Sequence, residues 1–218
     1  DNLDDVQNEI VRETLRYCGI NDRVEITSHA EVPSGTGLGS SGSFGVGILN
    51  ALWEGNTYKV DRFEDIQKEL AKQSSYIQID VLNHPIGLQD QYVAAFGGVN
   101  VYEVDKQGQV EITPLRTEYK ELENRLCLFF TGFKREANEI LKFQRDNAEE
   151  MEESLHNVRN LCYNIRTALE DFEFHRFGEL MNEHWEEKKK RSPIMTNPQI
   201  DEWYQMGLKN GAVGGKLV

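Results

Sequence analysis

The sequence predicts an α+β fold, in which a strand-bearing first half is followed by a helical second half. Residues 24–32 alternate apolar and polar side chains, a pattern typical of an antiparallel strand with one solvent-exposed face. A glycine-rich turn then leads directly into an apolar helical run. From Asn138 onward the apolar residues recur at helical spacing. Together these three patterns predict separate strand and helix segments.

Each element is predicted from its local pattern, in chain order. Helices are expected over residues 6–17 and 43–53, and from residue 62 until shortly before Pro85, since helices tend to end ahead of a proline. Strands are expected over residues 99–104, 110–113 and 125–130. The polar stretch 105–124 separates the two halves. We therefore predict an N-terminal domain over residues 1–104 and a C-terminal domain over residues 105–218.

Composition limits the classes of partner. A chain of 218 residues is long enough for one large domain or two small ones. Its net charge of −13 argues against nucleic acid and against anionic membranes as general partners. No apolar run reaches a transmembrane length, and no signal peptide opens the chain. Cys18, Cys127 and Cys162 lack metal-ligand spacing, so we expect reduced core cysteines in a cytoplasmic protein.

The glycine-rich turn is predicted to hold phosphate. Glycines at positions 35, 37, 39 and 42 remove the side chains that would keep an anion away from the backbone. Ser40 and Ser41 add hydroxyl donors. The apolar helix that follows would direct its free N–H groups and the positive end of its dipole toward the same anion.

Three other interpretations of this turn are weaker. It lacks the Gly-Lys-Ser/Thr ending of a Walker P-loop. Residues 37–42 match the dinucleotide fingerprint formally, with Asp61 about twenty residues later, but that fold has an almost continuously apolar strand before its first glycine. A flexible linker fits poorly with Leu38 and Phe44 and with the helix that follows at once.

Two motifs carry a family resemblance. The turn reads Pro33-x-Gly35-x-Gly37-Leu38-Gly39-Ser40-Ser41, and a second segment reads Pro85-Ile-Gly-Leu-Gln-Asp90-Gln91-Tyr-Val-Ala-Ala-Phe-Gly-Gly98. They resemble the phosphate-binding and catalytic aspartate motifs of the GHMP kinases, the superfamily of galactokinase, homoserine kinase and mevalonate kinase. Two motifs in the right order are more specific than either alone. The resemblance implies a two-domain fold, with a ribosomal protein S5 domain 2-like N-terminal part and a helix-rich α+β C-terminal part. It also implies that residues 33, 35 and 37–42 bind ATP.

Within this superfamily the chain is most similar to kinases of D-glycero-D-manno-heptose 7-phosphate. The likeness rests on the second motif, on Thr131-Gly132 with Arg135, and on Asn197-Pro198 before Gly211-Ala-Val-Gly-Gly-Lys216. It implies transfer of the γ-phosphoryl group of ATP, with Mg²⁺, to the anomeric hydroxyl of a sugar phosphate. Another GHMP sugar kinase, such as a fucokinase, and a catalytically weak nucleotide or sugar sensor remain alternatives. The ends of the chain suggest part of a longer enzyme, truncated before the glycine-rich third motif of the family, and a homodimer is an allowed assembly.

Asp90 is the predicted catalytic base. A sugar hydroxyl is a poor nucleophile, so a phosphoryl-transfer enzyme gains from a fixed carboxylate that accepts its proton. Gln91 is expected to hydrogen-bond the substrate or this carboxylate. Taken alone, Asp90 could instead cap a helix that begins at Gln91.

The magnesium ligands depart from the family pattern. The resemblance assigns the ion to a serine of the turn, here Ser41, and to a glutamate twelve residues before the aspartate. That position is Gln78, with Asp80 two residues later. Magnesium prefers carboxylate oxygen but accepts an amide or acts through water. Asp80 therefore substitutes, or Gln78 binds weakly, or catalysis is impaired, and Gln78 could also be an ordinary polar helix position.

Basic residues in the second half are candidates for the substrate phosphate. The run Lys188-Lys-Lys-Arg191 stands at a predicted helix end, where cations commonly complement the helix dipole. One of its lysines could instead reach a sugar phosphate. Arg135 is the better candidate, because the resemblance puts Thr131, Gly132 and Arg135 near the active site. The five histidines show no metal-ligand spacing and are expected to be structural or exposed.

Overall fold

A computed structural model describes residues 2–21, 23–32, 35–53, 63–133, 147, 151–191 and 195–218. The helices are α1 Glu9–Tyr17, α2 Ser40–Leu52, α3 Phe63–Tyr76, α4 Gln89–Phe96, α5 Tyr119–Asn124, α6 Glu152–Glu170, α7 Phe174–Lys189 and α8 Pro198–Lys209. The strands are β1 Asn100–Val104 and β2 Val110–Pro114, and a 3-10 turn spans Leu3–Asp5. The described residues form two compact units, one ending at Gly98 and the other starting at Val99. The fold is α+β, as predicted, and the domain limits 1–104 and 105–218 stay a prediction.

In the N-terminal unit α2 packs against α3 and α4 around a small apolar core. The core consists of Val46, Leu49, Leu70 and Ile77. A Cβ atom built on Gly45 would lie 2.5 Å from Gln78 Nε2, and one on Gly42 would lie 2.6 Å from Asp90 Cβ. Glycine at these two helical positions therefore allows α2 to approach its neighbours more closely than any other residue would.

The third helix ends in an irregular turn that positions Gln78. After Tyr76 the chain continues as a π-helical turn, Ile77–Val81, in which Leu82 N donates to Ile77 O at 3.0 Å. The backbone N–H of His84 then donates to Gln78 O at 2.9 Å, and Asn83 adopts a left-handed φ of 55°. The predicted end of the helix ahead of Pro85 is confirmed. Single π-helical turns occur mainly at functional positions.

Two predicted strands are wrong. Residues 24–30 have no regular secondary structure, and the exposed fractions of Val24, Ile26 and Val32 are 44%, 37% and 43%. Residues 126–130 are likewise irregular, with Phe129 81% exposed. A strand needs a neighbouring strand to pair its backbone groups. Among the described residues only β1 and β2 pair with each other, so the alternating pattern has no partner here.

The C-terminal unit combines a hairpin with packed helices. β1 and β2 pair antiparallel from Asn100 opposite Pro114 to Val104 opposite Val110. The Asp105 carboxylate closes their turn by accepting from the N–H groups of Gln107 and Gln109, both at 2.8 Å. The helices α6 and α7 pack against each other through buried apolar side chains. These are Leu161, Ala168 and Leu180.

The last helix, α8, was not predicted individually, although its start carries a clear signal. Asn197 caps the helix by accepting from Ile200 N at 2.9 Å, and Pro198 occupies the first helical position. An N-cap asparagine followed by proline is a common helix start, because proline lacks the N–H that would be unsatisfied there.

The cysteines are free thiols, and the prediction that they lie in the core is wrong for two of them, whereas Cys18 packs against the core of the N-terminal unit. Cys127 and Cys162 are exposed and Cys18 is half-buried. None of the described helices is long and apolar enough to cross a membrane.

The packing of α2 leads to a test with a matched control. We expect Gly45→Ala to lower the free energy of unfolding by about 1–3 kcal/mol, because its methyl group would overlap the Gln78 amide and Ser74 Oγ. Gly47→Ala lies in the same helix with no atom within 4 Å of the added Cβ, so it should raise stability by about 0.5–1 kcal/mol. Denaturant unfolding of both variants measures this. Equal effects at the two positions would contradict the close approach of α2.

Candidate active site

Three glycines of the glycine-rich turn adopt a backbone conformation that favours glycine. Gly35, Gly37 and Gly39 have φ values of 79°, 77° and 69°, in the left-handed region. Helix α2 begins immediately afterwards at Ser40, three residues earlier than predicted. Because no side chain caps this end, the N–H groups of its first turn remain available to an anion.

Asp90 lies against this turn. A Cβ atom built on Gly39 would be 3.3 Å from the Asp90 Cγ atom and 3.5 Å from Oδ2. Helix α4 begins at Gln89 with Leu88 at the N-cap position, so Asp90 lies inside the first turn of the helix and not at its cap. The alternative in which Asp90 caps its helix is therefore wrong. Its carboxylate instead faces the start of α2.

The contact with α2 changes the acidity of Asp90. The residue keeps part of its surface exposed, while the packed turn desolvates its carboxyl and raises the pKa of Asp90 above the usual range. Burial disfavours the charged form of a carboxyl group, because water no longer solvates it. A raised pKa brings a carboxylate closer to the range in which it can accept a proton from a hydroxyl during a reaction.

Two buried amides flank the same helix. Gln78 and Gln91 are both fully buried. Gln78 Nε2 donates to Ser74 Oγ at 3.2 Å, whereas Gln78 Oε1 and both amide atoms of Gln91 have no hydrogen-bond partner within the described structure. Unsatisfied buried amides are costly and uncommon. They mark positions where a water molecule or a ligand atom would complete the hydrogen bonding.

The three predicted metal ligands do not all lie on one side of the chain. Gln78 packs beside Gly45 of α2. Ser41 lies one helical turn before Gly45, on the same face of that helix. Asp80 and Ser41 are exposed. Residues two apart on a helix do not share a face, so Gln78 and Asp80 point away from each other. The described residues contain no group of three or more His, Cys, Asp or Glu side chains that could hold a metal ion.

The predicted substrate residues belong to different parts of the chain. Gln91 lies beside Gly42 in the N-terminal unit. Thr131 and Gly132 lie in the C-terminal unit, where Thr131 Oγ1 accepts from Phe133 N at 3.4 Å. Pro33 and Arg135 fall outside the described residues. The structure thus brings the turn, Asp90 and the two amides together.

Sequence reasoning missed Ser74 and the role of Gly45. Ser74 is buried, and its hydroxyl accepts from Gln78 below Gly45. The spacing 74/78 places both side chains on one helix face, and glycine inside an apolar helix often marks a close approach. These two signals together could have identified the contact.

The turn and Asp90 lie in a segment of the chain that matches a known family. A family model described as the GHMP kinases N terminal domain matches residues 6–98. This part of the chain belongs to the GHMP kinases. The matched segment contains the phosphate turn, both buried glutamines and Asp90.

Several sugar kinases resemble the chain beyond that segment. It is 31% identical over 194 residues to the D-glycero-alpha-D-manno-heptose 7-phosphate kinase of Campylobacter jejuni, covering 87% of this chain. It is 25% identical over 205 residues to the bifunctional fucokinase/GDP-fucose pyrophosphorylase of Arabidopsis thaliana, covering 88% of this chain. The crystal structure of a D-glycero-D-manno-heptose 1-phosphate kinase from Bacteroides thetaiotaomicron matches 97% of this chain with a TM-score of 0.70 at 24% identity. That structure shows the shared GHMP kinase fold.

The chain is shorter than these relatives. It spans 56% of the Campylobacter kinase, 18% of the Arabidopsis protein and 61% of the Bacteroides chain.

The raised pKa of Asp90 predicts a pH-dependent gain in stability for Asp90→Asn. In the folded protein the ionised carboxylate is disfavoured, so wild-type stability falls as pH rises above the ordinary aspartate pKa of roughly 3.9. The variant lacks this cost. We expect its melting temperature to exceed that of the wild type at pH 7, with the difference vanishing below pH ~3.9. Thermal melts across pH measure it, and a gain that persists in acid would contradict the desolvation of Asp90.

Proposed function

We propose that the full-length protein is an ATP-dependent sugar kinase of the GHMP family, and that it phosphorylates the anomeric hydroxyl of D-glycero-D-manno-heptose 7-phosphate. One observation supports this most strongly. A Cβ atom built on Gly39 would lie 3.3 Å from the Asp90 Cγ atom, which is a contact distance. Gly39 belongs to the turn that precedes the uncapped start of α2. A phosphate held at that helix end would therefore be close to a carboxylate that can accept a proton.

The turn and α2 would hold the triphosphate of ATP. Three glycines with positive φ leave the backbone N–H groups accessible, and Ser40 and Ser41 contribute hydroxyl donors at the first positions of the helix. The turn contains no lysine or arginine, so backbone donors and the helix dipole would provide most of the attraction.

Asp90 would act as the general base. The sugar hydroxyl loses its proton to the Asp90 carboxylate while its oxygen bonds to the γ-phosphorus, and the bond between that phosphorus and the β-γ bridging oxygen of ATP breaks to release ADP. Desolvation of Asp90 makes it a stronger base than an exposed aspartate. The buried Gln91 amide would orient the carboxylate or the sugar from the adjacent helix position.

The residues present fit a magnesium ion that is held by only a few protein ligands. Gln78 Oε1 is an acceptor without a donor among the described residues, and the exposed hydroxyl of Ser41 lies on the same face of α2 as Gly45. Magnesium often takes only one or two protein ligands and completes its shell with water and substrate phosphates. We assign Ser41 and Gln78 as its contacts, rather than Asp80. When bound, the ion would neutralise charge on the transferred phosphates.

The choice of sugar rests on relatives. The Campylobacter relative is named a heptose 7-phosphate kinase and covers most of this chain at 31% identity, which favours a phosphorylated heptose. The Arabidopsis relative, at 25%, supports a fucokinase-like alternative. The amide at Gln78, where the family has a carboxylate, supports a second alternative, in which the protein binds nucleotide or sugar as a sensor with little turnover.

Asp90→Asn tests the base. In the full-length enzyme this variant should retain ATP affinity and lose turnover by roughly a hundredfold or more, because the amide cannot accept the proton. Glu64→Gln removes an exposed carboxylate at the start of α3 and serves as the control. Coupled measurement of ADP release, with calorimetry for ATP, reports both quantities. Wild-type turnover in Asp90→Asn would exclude Asp90 as the base.

A sugar panel tests the substrate class. We expect heptose 7-phosphate to be used far better than free heptose or fucose, because the phosphate is met by charged donors. Loss of one such contact in Arg135→Ala should weaken affinity for the phosphorylated sugar roughly ten- to a hundredfold. Equal efficiency for free and phosphorylated sugars would refute the heptose 7-phosphate assignment. Nucleotide binding without ADP release on any sugar would favour the sensor.

A further inference from the structure

Gln78 is an amide at a position where a metal ligand must present oxygen. The resemblance to the GHMP kinases expects a glutamate there, and both oxygens of a carboxylate are acceptors. An amide has one oxygen and one NH2 group, and only its oxygen can bind a divalent cation. The Gln78 side chain therefore serves as a metal contact only when its amide is held in one of its two orientations.

Ser74 holds this amide in one orientation. Gln78 Nε2 donates to Ser74 Oγ at 3.2 Å, and both side chains are fully buried. The bond occupies the NH2 end of the amide. Gln78 Oε1, at the other end, is buried and has no hydrogen-bond partner among the described residues. The end of the amide that stays available is thus the oxygen, which is the end that a cation needs.

Helix α2 packs directly against this pair. A Cβ atom built on Gly45 would lie 2.5 Å from Gln78 Nε2 and 2.7 Å from Ser74 Oγ, so only glycine leaves room for the hydrogen bond beside the helix. The backbone of Gln78 is held as well, since its carbonyl oxygen accepts from His84 N at 2.9 Å. Packing therefore fixes where the amide lies, and the bond to Ser74 decides which way it is turned.

The next residue shows what a buried serine does without such a role. Ser75 is also buried, and its hydroxyl donates to Ala71 O at 2.7 Å, one turn earlier in its own helix. Serines inside helices commonly bond the backbone in this way. Ser74 instead contacts the side chain of the candidate metal ligand. The two serines thus differ in the partner of their hydroxyl, and Ser75 provides a matched control for Ser74.

We propose that Ser74 is a positioning residue for the metal site: by accepting from Gln78 Nε2, it leaves Gln78 Oε1 as the end of the amide that meets a divalent cation. This deepens the proposed function, on which it rests for the presence of the cation. A hydrogen bond that orients a ligand side chain contributes to metal affinity although it does not touch the ion. Without the hydroxyl, the amide would also populate the orientation that points its N–H groups at the cation and repels it.

The test measures Mn²⁺ binding to the full-length protein by electron paramagnetic resonance, with and without ADP and in the absence of sugar. Mn²⁺ takes the same oxygen ligands as Mg²⁺ and is directly detectable. Ser74→Ala should bind Mn²⁺ roughly tenfold more weakly than the wild type, because its amide is no longer oriented. Ser75→Ala removes the neighbouring buried hydroxyl and should keep the wild-type affinity. Thermal melts without metal show that both variants are folded.

A carboxylate at position 78 separates orientation from a general structural effect. In Gln78→Glu both side-chain oxygens are acceptors, so no orientation has to be selected. We expect this variant to bind Mn²⁺ more tightly than the wild type, and Ser74→Ala added to it should not weaken that binding. If Ser74 acted only on the packing of α2, Ser74→Ala would weaken Mn²⁺ binding equally in the glutamine and glutamate backgrounds, and that result would overturn the proposal.

The remaining outcomes are equally decisive. Wild-type Mn²⁺ affinity in folded Ser74→Ala would overturn the positioning role and assign Gln78 Oε1 to a buried water molecule. Equal losses in Ser74→Ala and Ser75→Ala, or no Mn²⁺ binding to the wild type under either condition, would also overturn it. Because no measurement needs turnover, a cation site that depends on Ser74 can stand where sugar kinase activity is absent. Sugar kinase activity can equally persist where Ser74 proves to have no part in metal binding.

Discussion

The approach of α2 to its two neighbouring helices is the constraint on which the candidate active site depends. At Gly42 and Gly45 a single methyl group would already fall within 2.6 Å of Asp90 Cβ or Gln78 Nε2. Packed interiors have no room for such an overlap, so the helix could not sit here with any other residue at these positions. The same approach brings the start of α2, with its free N–H groups, against the carboxylate of Asp90. The same two glycines therefore allow both the close packing of α2 and the position of Asp90 beside the start of that helix.

The polar groups beneath this helix are mostly neutral, and that has an energetic reason. Gln78 and Gln91 are fully buried amides, and Asp90 is the ionisable group that stands at the edge where some solvent remains. A buried amide with a missing hydrogen bond costs much less than an unpaired buried charge. A glutamate at position 78 would therefore need a cation to be stable there. The amide keeps the helix packed without one, which fits a metal site that depends mainly on phosphate and water oxygens.

The C-terminal unit contains a run of basic residues, 188–191, although the chain as a whole is acidic. The net charge of −13 argues against polyanionic partners, and the acids of α7 are engaged within the unit. Glu183, Glu186 and Glu187 pair with Arg176, Lys189 and Lys190, and the charge of Glu187 also acts on Arg191. Net charge governs long-range attraction, whereas the recognition of one phosphate group depends on a few donors with the right geometry. A small anionic ligand is therefore compatible with an acidic protein.

The sequence by itself determined the local features. Glycines that need positive φ, the helix that ends before Pro85, the hairpin at residues 100–114 and the order of the two motifs are all encoded over short distances, where backbone sterics and hydrogen bonding act. It also indicated Asp90 through the pair of motifs, whereas the position taken alone favoured a helix cap. Only the tertiary structure removed that alternative, because the start of α4 and its contact with Gly39 depend on packing between distant segments. For the same reason residues 24–32 have the sequence pattern of a strand but do not form one. Alternating apolar and polar side chains indicate a strand, but the backbone also needs a neighbouring strand with which to pair.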